Sequence, residues 1–105
     1  MARIIWSPQA LEDLTNIRHF IAADAPRTAR RFIKRIFDSV ERLERHPHSG
    51  AIVPELRTDE FREILLKKYR IIYRVRTPER VEIVTVYHGS RLLDLDLFLD
   101  CFAPG

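Results

Sequence analysis

The chain has a single cysteine, Cys101, among 105 residues. No internal disulfide can brace the fold, which agrees with a reducing cytosol, and a cysteine so near the C-terminus is a poor candidate nucleophile. No apolar run approaches the roughly 20 residues needed to cross a bilayer, which argues against membrane insertion. The opening Met1-Ala2-Arg3-Ile4-Ile5-Trp6 turns polar at Ser7-Pro8-Gln9, too soon to build the apolar core of a signal peptide, so the expected location is the cytoplasm. Metal ligands are also scarce. His46 and His48 lie two apart with no cysteine or third obvious ligand nearby, whereas zinc wants three or four ligands in fixed geometry. Neither a metal nor a cofactor is expected. With no repeat, low-complexity stretch or linker, residues 1–105 read as one small domain.

What the chain does have is a globular balance, 46% hydrophobic and 31% charged residues, with a formal charge of +3 and a pI near 9.4. The basic residues are unevenly spread: Arg27, Arg30, Arg31, Lys34, Arg35, Arg42 and Arg45 crowd one segment. Asp38, Glu41 and Glu44 among them permit a solvated, ion-paired helix face. The same density also suits an acidic partner or phosphates, whose attraction falls steeply with salt.

The pattern along the chain predicts an α+β fold. Arg3-Ile4-Ile5-Trp6 is a short strand, and Ser7-Pro8 supplies an N-cap followed by proline at the first helical position. Ala10, Leu14, Ile17 and Ile21 then repeat at helical spacing, with Leu11 and Phe20 widening the apolar stripe. Ala25-Pro26 breaks that helix, and Ala29, Phe32, Ile33, Ile36, Phe37, Val40 and Leu43 mark a second, giving a helical hairpin whose apolar faces want a sheet. His46-Pro47-His48-Ser49-Gly50 ends it, glycine allowing the conformations of a tight turn. Residues 51–60 read as a surface connection into a strand over Phe61 to Leu66. Tyr69 to Arg76 and Val81 to His88 alternate around Thr77-Pro78-Glu79-Arg80, a hairpin signal. Pairing back from that turn sets Arg70 opposite Tyr87 and beside His88, so a cation and an imidazole are expected close together, with Arg91 at the same end.

After Arg91, Leu92, Leu95, Phe98 and Phe102 share one face of a short helix, while the alternation of Asp94, Asp96 and Asp100 with leucines equally permits a strand. These apolar residues either cover the sheet or dock on another protein; self-burial is the favoured reading.

The order strand, helix, helix, loop, three strands and tail, together with particular residues, resembles the ParE branch of the RelE/ParE superfamily of bacterial toxins, including plasmid stabilisation toxins. The echoes are Trp6-Ser7-Pro8-Gln9-Ala10 with Asp13-Leu14 and Ile17, Ala29 and Phe32, His46-Pro47 with Gly50, Arg62, Tyr69-Arg70-Ile71-Ile72-Tyr73-Arg74-Val75, and Val86-Tyr87-His88-Gly89-Ser90-Arg91. The resemblance implies a helical hairpin packed on a twisted antiparallel sheet of about four strands, with a short C-terminal helix or tail. It also implies a type II toxin neutralised by a cognate, ParD-like antitoxin.

Two activities follow from that resemblance. RelE-like members cut mRNA on the ribosome, which needs a base for the ribose 2′-hydroxyl, cations for the phosphorane-like transition state and an acid for the leaving oxygen. Arg70 and Arg91 look like the superfamily's phosphate-binding arginines. Arg62, Lys67 and Lys68 add charge, and His88 could move a proton, with Glu55 or Glu63 as its acidic partner. Against cleavage, the strand before Tyr69-Arg70 carries Arg62-Glu63-Ile64 where such nucleases carry lysines, and the tail has no tyrosine. ParE-like members are implied to poison DNA gyrase by contact alone. On that reading Arg70, His88 and Arg91 are structural or contact residues, with Leu95 and Phe98 as further contacts. A third class is a non-toxic basic binding module that touches nucleic acid or protein; Tyr69, Tyr73 and Tyr87 suit nucleic-acid contact and, by alternation, equally suit the core. The antitoxin is expected to lay an acidic amphipathic segment against Arg30, Arg31, Lys34 and Arg35.

Overall fold

The computed structural model describes residues 1–56 and 58–89. In chain order it has β1 (Arg3–Trp6), α1 (Pro8–Ala22), α2 (Pro26–Glu41), a short 3-10 turn (Arg42–Glu44), β2 (Ala51–Ile52), a second 3-10 turn (Pro54–Leu56), β3 (Phe61–Leu66), β4 (Tyr69–Thr77) and β5 (Arg80–His88). The five strands make one sheet in the order β1-β5-β4-β3-β2.

Ser7 sets the start of α1 in two ways. Its hydroxyl accepts from the Ala10 amide at 3.0 Å and donates to the Val84 carbonyl at 2.7 Å, so the N-cap that begins the helix also ties it to the sheet. Ala10, Leu14 and Ile17 are buried from α1, and Ala29, Phe32, Ile36 and Val40 from α2, as the helical spacing predicts. They meet Ile64, Ile71, Tyr73, Val81, Ile83 and Val86 from one face of the sheet. Truncating such fully buried side chains to alanine costs about 2–5 kcal/mol each. Two stripe residues lie outside the buried arc: Leu11 is 49% exposed and Phe20 is 77% exposed. Phe37, 44% exposed, lies with its ring centroid 4.9 Å from that of Trp6.

The sheet differs from the expected antiparallel four strands in two respects. β1 joins its edge parallel to β5, Arg3 opposite Arg80 through Trp6 opposite Ile83, so the sheet is mixed. The segment 51–60, read as a plain connection, contributes β2, two residues paired antiparallel to β3. A two-residue strand carries too little alternation to be visible in sequence.

Arg70 does pair with Tyr87, as the hairpin count predicts. The agreement hides two irregularities, between Ile72 and Tyr73 and between Val75 and Thr77. One shift adds a residue to β5 at Val84 and the other adds one to β4 at Arg76, so they cancel. The first re-phases β5: Ile83 and Val86 both join the helix-side core, while Val84 and Tyr87 join Val53, Phe61, Ile72 and Leu56 on the far face. Among the described residues that far face has no helix; the turn carrying Val53 and Leu56 packs over it.

Beyond Trp6, β1 no longer covers β5. Asp13 of α1 takes its place, its carboxylate accepting from the Val86 amide at 3.0 Å and from the Thr85 hydroxyl.

Gly50 is needed for room rather than for backbone freedom. A Cβ there would stand 2.6 Å from the Glu63 carbonyl oxygen and 2.6 Å from the Tyr73 hydroxyl, which itself accepts from the Gly50 amide at 2.9 Å. The one non-glycine residue in the left-handed region among those described is Lys67, at φ 55° in the β3–β4 turn.

Candidate functional site

Two charged regions flank the end of the sheet where β4 begins and β5 ends. On the helix-free face, Arg70 is held by two carboxylates. Its Nε and Nη2 donate to Glu63 at 3.0 and 2.8 Å, and its Nη1 and Nη2 donate to Glu55 at 2.7 and 2.9 Å. All four carboxylate oxygens are engaged, in the forked geometry that guanidinium matches best. The guanidinium also lies over the Tyr87 ring, 5.4 Å from its centroid. These hydrogen bonds, Glu55 first, raise the Arg70 pKa further above its already high value. The Glu55 carboxyl is held below its usual range, chiefly by its hydrogen bonds from Arg70. Burial is the main cause that pushes the Tyr87 hydroxyl up.

His88 is not part of this cluster. It pairs with Tyr69 across the strands, and strand alternation sends both to the helix side, where the Tyr69 ring lies 5.3 Å from Phe32 and 5.4 Å from His88. Arg70 and His88 therefore sit at neighbouring register positions with side chains that leave the strands toward opposite faces, yet both line one cavity of about 450 Å³ at this sheet end, with Lys67, Lys68 and Tyr69. Glu55 and Glu63, considered above as partners of His88, bind Arg70 instead. Arg62 serves the loop before β2: its Nη1 donates to the carbonyls of His48 at 3.3 Å and Gly50 at 3.0 Å. Arg91, Leu95 and Phe98 lie outside the described residues.

The second region is a groove of about 630 Å³ between the helical hairpin and the β3–β4 turn. Phe20, Ile21, Phe32 and Tyr69 give it an apolar lining, Arg31, Arg35, Lys67 and Lys68 bring four cations, and His88 and Thr28 also line it; among the described residues no carboxylate does. The four residues expected to meet an antitoxin divide here. Arg31 and Arg35 line the groove, while Arg30 and Lys34 do not, and Lys34 pairs with Asp38 at 4.0 Å. Phe20 is the groove residue that sequence reasoning placed wrongly, as core. Among the described residues there is no group of three or more His, Cys, Asp or Glu able to hold a metal ion. No helix there is long and apolar enough to cross a membrane.

A helical hairpin on one face of a five-stranded mixed sheet matches the fold of the RelE/ParE superfamily of toxins. The chain belongs to the ParE toxin family: a family model described as the ParE toxin of the type II toxin-antitoxin system parDE matches residues 4–93. It is 32% identical over 92 residues to Toxin RelE2 of Caulobacter vibrioides, covering 88% of this chain and 100% of that protein. It is 36% identical over 89 residues to the putative toxin Y4kP of Sinorhizobium fredii, covering 85% of this chain and 90% of that one. A solved structure of the chromosomal ParDE system from P. aeruginosa superposes with a TM-score of 0.71 at 21% identity, over 84% of this chain and 96% of that chain. The protein thus belongs to the toxins of type II toxin-antitoxin systems.

Proposed function

We propose that this toxin acts in the manner the resemblance assigns to ParE, poisoning DNA gyrase in the cytoplasm by contact rather than cutting mRNA by its own chemistry. The observation that carries this reading is the engagement of Arg70. An arginine that serves a scissile phosphate must present free donors to it, and here four donor contacts go to Glu55 and Glu63. A phosphate would have to displace a carboxylate and then lie beside it, at a repulsive cost. Arg62 gives its Nη1 to two loop carbonyls.

One observation favours mRNA cleavage instead: His88 lines the groove with Lys67, Lys68, Arg31 and Arg35, which gives a proton-transfer group an anion-attracting setting. Purified toxin is to be incubated with gyrase, ATP and relaxed plasmid, and in parallel with translating ribosomes and mRNA. Trapped double-strand breaks without mRNA cutting support the gyrase reading. Codon-positioned cuts abolished by His88→Ala, with supercoiling unaffected, reject it. DNA binding with neither effect would make the chain a basic binding module.

Within this proposal the antitoxin lays an acidic, amphipathic segment into the groove, acid groups toward Arg31 and Arg35 and apolar anchors onto Phe32 and Tyr69.

A further inference from the structure

The groove between the helical hairpin and the β3–β4 turn gathers four cations in one small space. Arg31 and Arg35 lie one turn apart on α2, Lys67 and Lys68 belong to the β3–β4 turn, and all four are exposed. Among the described residues none of them pairs with a carboxylate, whereas Lys34 on the same helix pairs with Asp38. Like charges left this close repel one another, and an anion that enters relieves all of them at once. The rest of the lining is largely apolar. The rings of Phe32 and Tyr69 are spent partly on each other, with centroids 5.3 Å apart. Phe20, 77% exposed, leaves most of its ring open to a planar ligand.

Size and charge together narrow the occupant. The groove holds about 630 Å³, inside the range of roughly 300–1,000 Å³ typical of sites for small organic ligands. A matching ligand carries several negative charges close together and a flat, apolar part beside them. Polynucleotides and acidic peptides spread their charges along a chain that has to leave such a cavity at both ends. A nucleoside triphosphate instead gathers about four charges on one short chain, its terminal phosphate carrying nearly two. It also joins them to a ring that stacks on aromatic side chains.

We propose that in the toxin without its antitoxin this groove is a binding site for a purine nucleoside triphosphate. Arg31, Arg35, Lys67 and Lys68 hold the phosphates, and the purine lies against Phe20. No bond is made or broken in the site. The binding stands apart from the gyrase reading. Only its consequence, a nucleotide that holds the groove against an acidic antitoxin segment, rests on the antitoxin placement proposed above.

Titration of magnesium-free ATP into the full-length, nitrogen-15-labelled toxin is the test. The amides of Phe20, Thr28 to Arg35 and Lys67 to Tyr69 should shift together and saturate. ATP should bind at least about tenfold more tightly than AMP, which lacks the charge, or inorganic triphosphate, which lacks the ring. Arg31→Gln/Arg35→Gln and Lys67→Gln/Lys68→Gln should each weaken ATP at least about tenfold, and Arg30→Gln/Lys34→Gln, outside the groove, less than about twofold. Phe20→Ala should weaken ATP about fivefold or more and leave inorganic triphosphate unchanged, while Phe20→Trp keeps ATP bound. All of these side chains are exposed, so the substitutions spare the fold. Equal affinity for ATP and inorganic triphosphate would reduce the groove to an unselective anion patch and overturn the proposal. Shifts spread over the whole basic face, or none at millimolar ATP, would overturn it too. Oligothymidylate or oligoglutamate binding in the groove where ATP does not would assign it to a nucleic-acid strand or an acidic segment instead. Saturating ATP should slow antitoxin association at least about threefold at matched ionic strength, because fewer grooves stand open. Unchanged association with the groove filled would reject the antitoxin's placement and leave the nucleotide site standing.

Discussion

Arg70 and Arg31 stand near the same end of one sheet, yet they do opposite things. Arg70, on the helix-free face, has a side chain only 12% exposed and is bound to Glu63, 8% exposed, and Glu55, 27% exposed. Arg31, in the groove on the other face, is exposed and lines it with three more cations and, among the described residues, no carboxylate. On the helix-free face opposite charges satisfy one another, so the field they send outward is small. In the groove like charges accumulate, and their field reaches an approaching partner. Counting arginines near a sheet end therefore says little about function until each one's partners are known.

The largest expected effect comes from breaking the paired region. Arg70→Leu strands two carboxylates, one of them buried, and should destabilise by about 3–5 kcal/mol, read as a lower urea midpoint. A loss under about 1 kcal/mol would mean that the two carboxylates are readily solvated and the region is not a structural clamp. Gly50→Ala should follow, at roughly 1–3 kcal/mol, because backbone and a buried tyrosine hydroxyl must both give way to the new methyl.

Acid tests the same region more gently. The Glu55 pKa is depressed in the fold, chiefly by Arg70. Its contribution is therefore present above the unfolded value near 4.5 and is lost as pH falls through the lower, folded value. Glu55→Gln should flatten the fall in stability below about pH 5. An unchanged slope would assign acid unfolding to other carboxylates.

The smallest effect on stability is expected in the groove, where Arg31→Glu/Arg35→Glu should stay within about 0.5 kcal/mol of the parent. The same variant should slow antitoxin association at least about tenfold at low salt and reduce its salt dependence, whereas Arg30→Glu/Lys34→Glu should change it about threefold at most. Equal effects from both pairs would erase the distinction between groove and outer helix face.

Much of this contrast was hidden in the sequence, for identifiable physical reasons. The helical hairpin was legible because Ala10-Leu14-Ile17 and Ala29-Phe32-Ile36-Val40 repeat at the helical period, and the Arg70–Tyr87 register because the turn fixes it. The register survived two bulges only because they fall on opposite strands and cancel. The direction of β1 was invisible, since a four-residue apolar run names neither its neighbour nor its sense. The register that sets Arg70 beside His88 places both at one sheet end, where they line a common cavity, while strand alternation starts their side chains toward opposite faces. The Glu55–Arg70 contact spans 15 residues and depends on how the turn at Pro54–Leu56 folds back, which no local pattern encodes. Phe20 was assigned to the core because it is aromatic and flanks the stripe, and a helical wheel does not say how wide the covering sheet is.

Asp13 carries a further consequence. The last residues of β5 run on after β1 has ended, and such an unpaired edge is a template on which a second molecule's strand can add. With the Asp13 carboxylate on the Val86 amide and the Thr85 hydroxyl, and the Ser7 hydroxyl on the Val84 carbonyl, that template is already written over by the molecule's own side chains. The resemblance noted between Ser7-Pro8 and Asp13 and other toxins of this family then has a meaning beyond helix formation. The two residues begin the helix and also close part of the sheet edge that β1 leaves open.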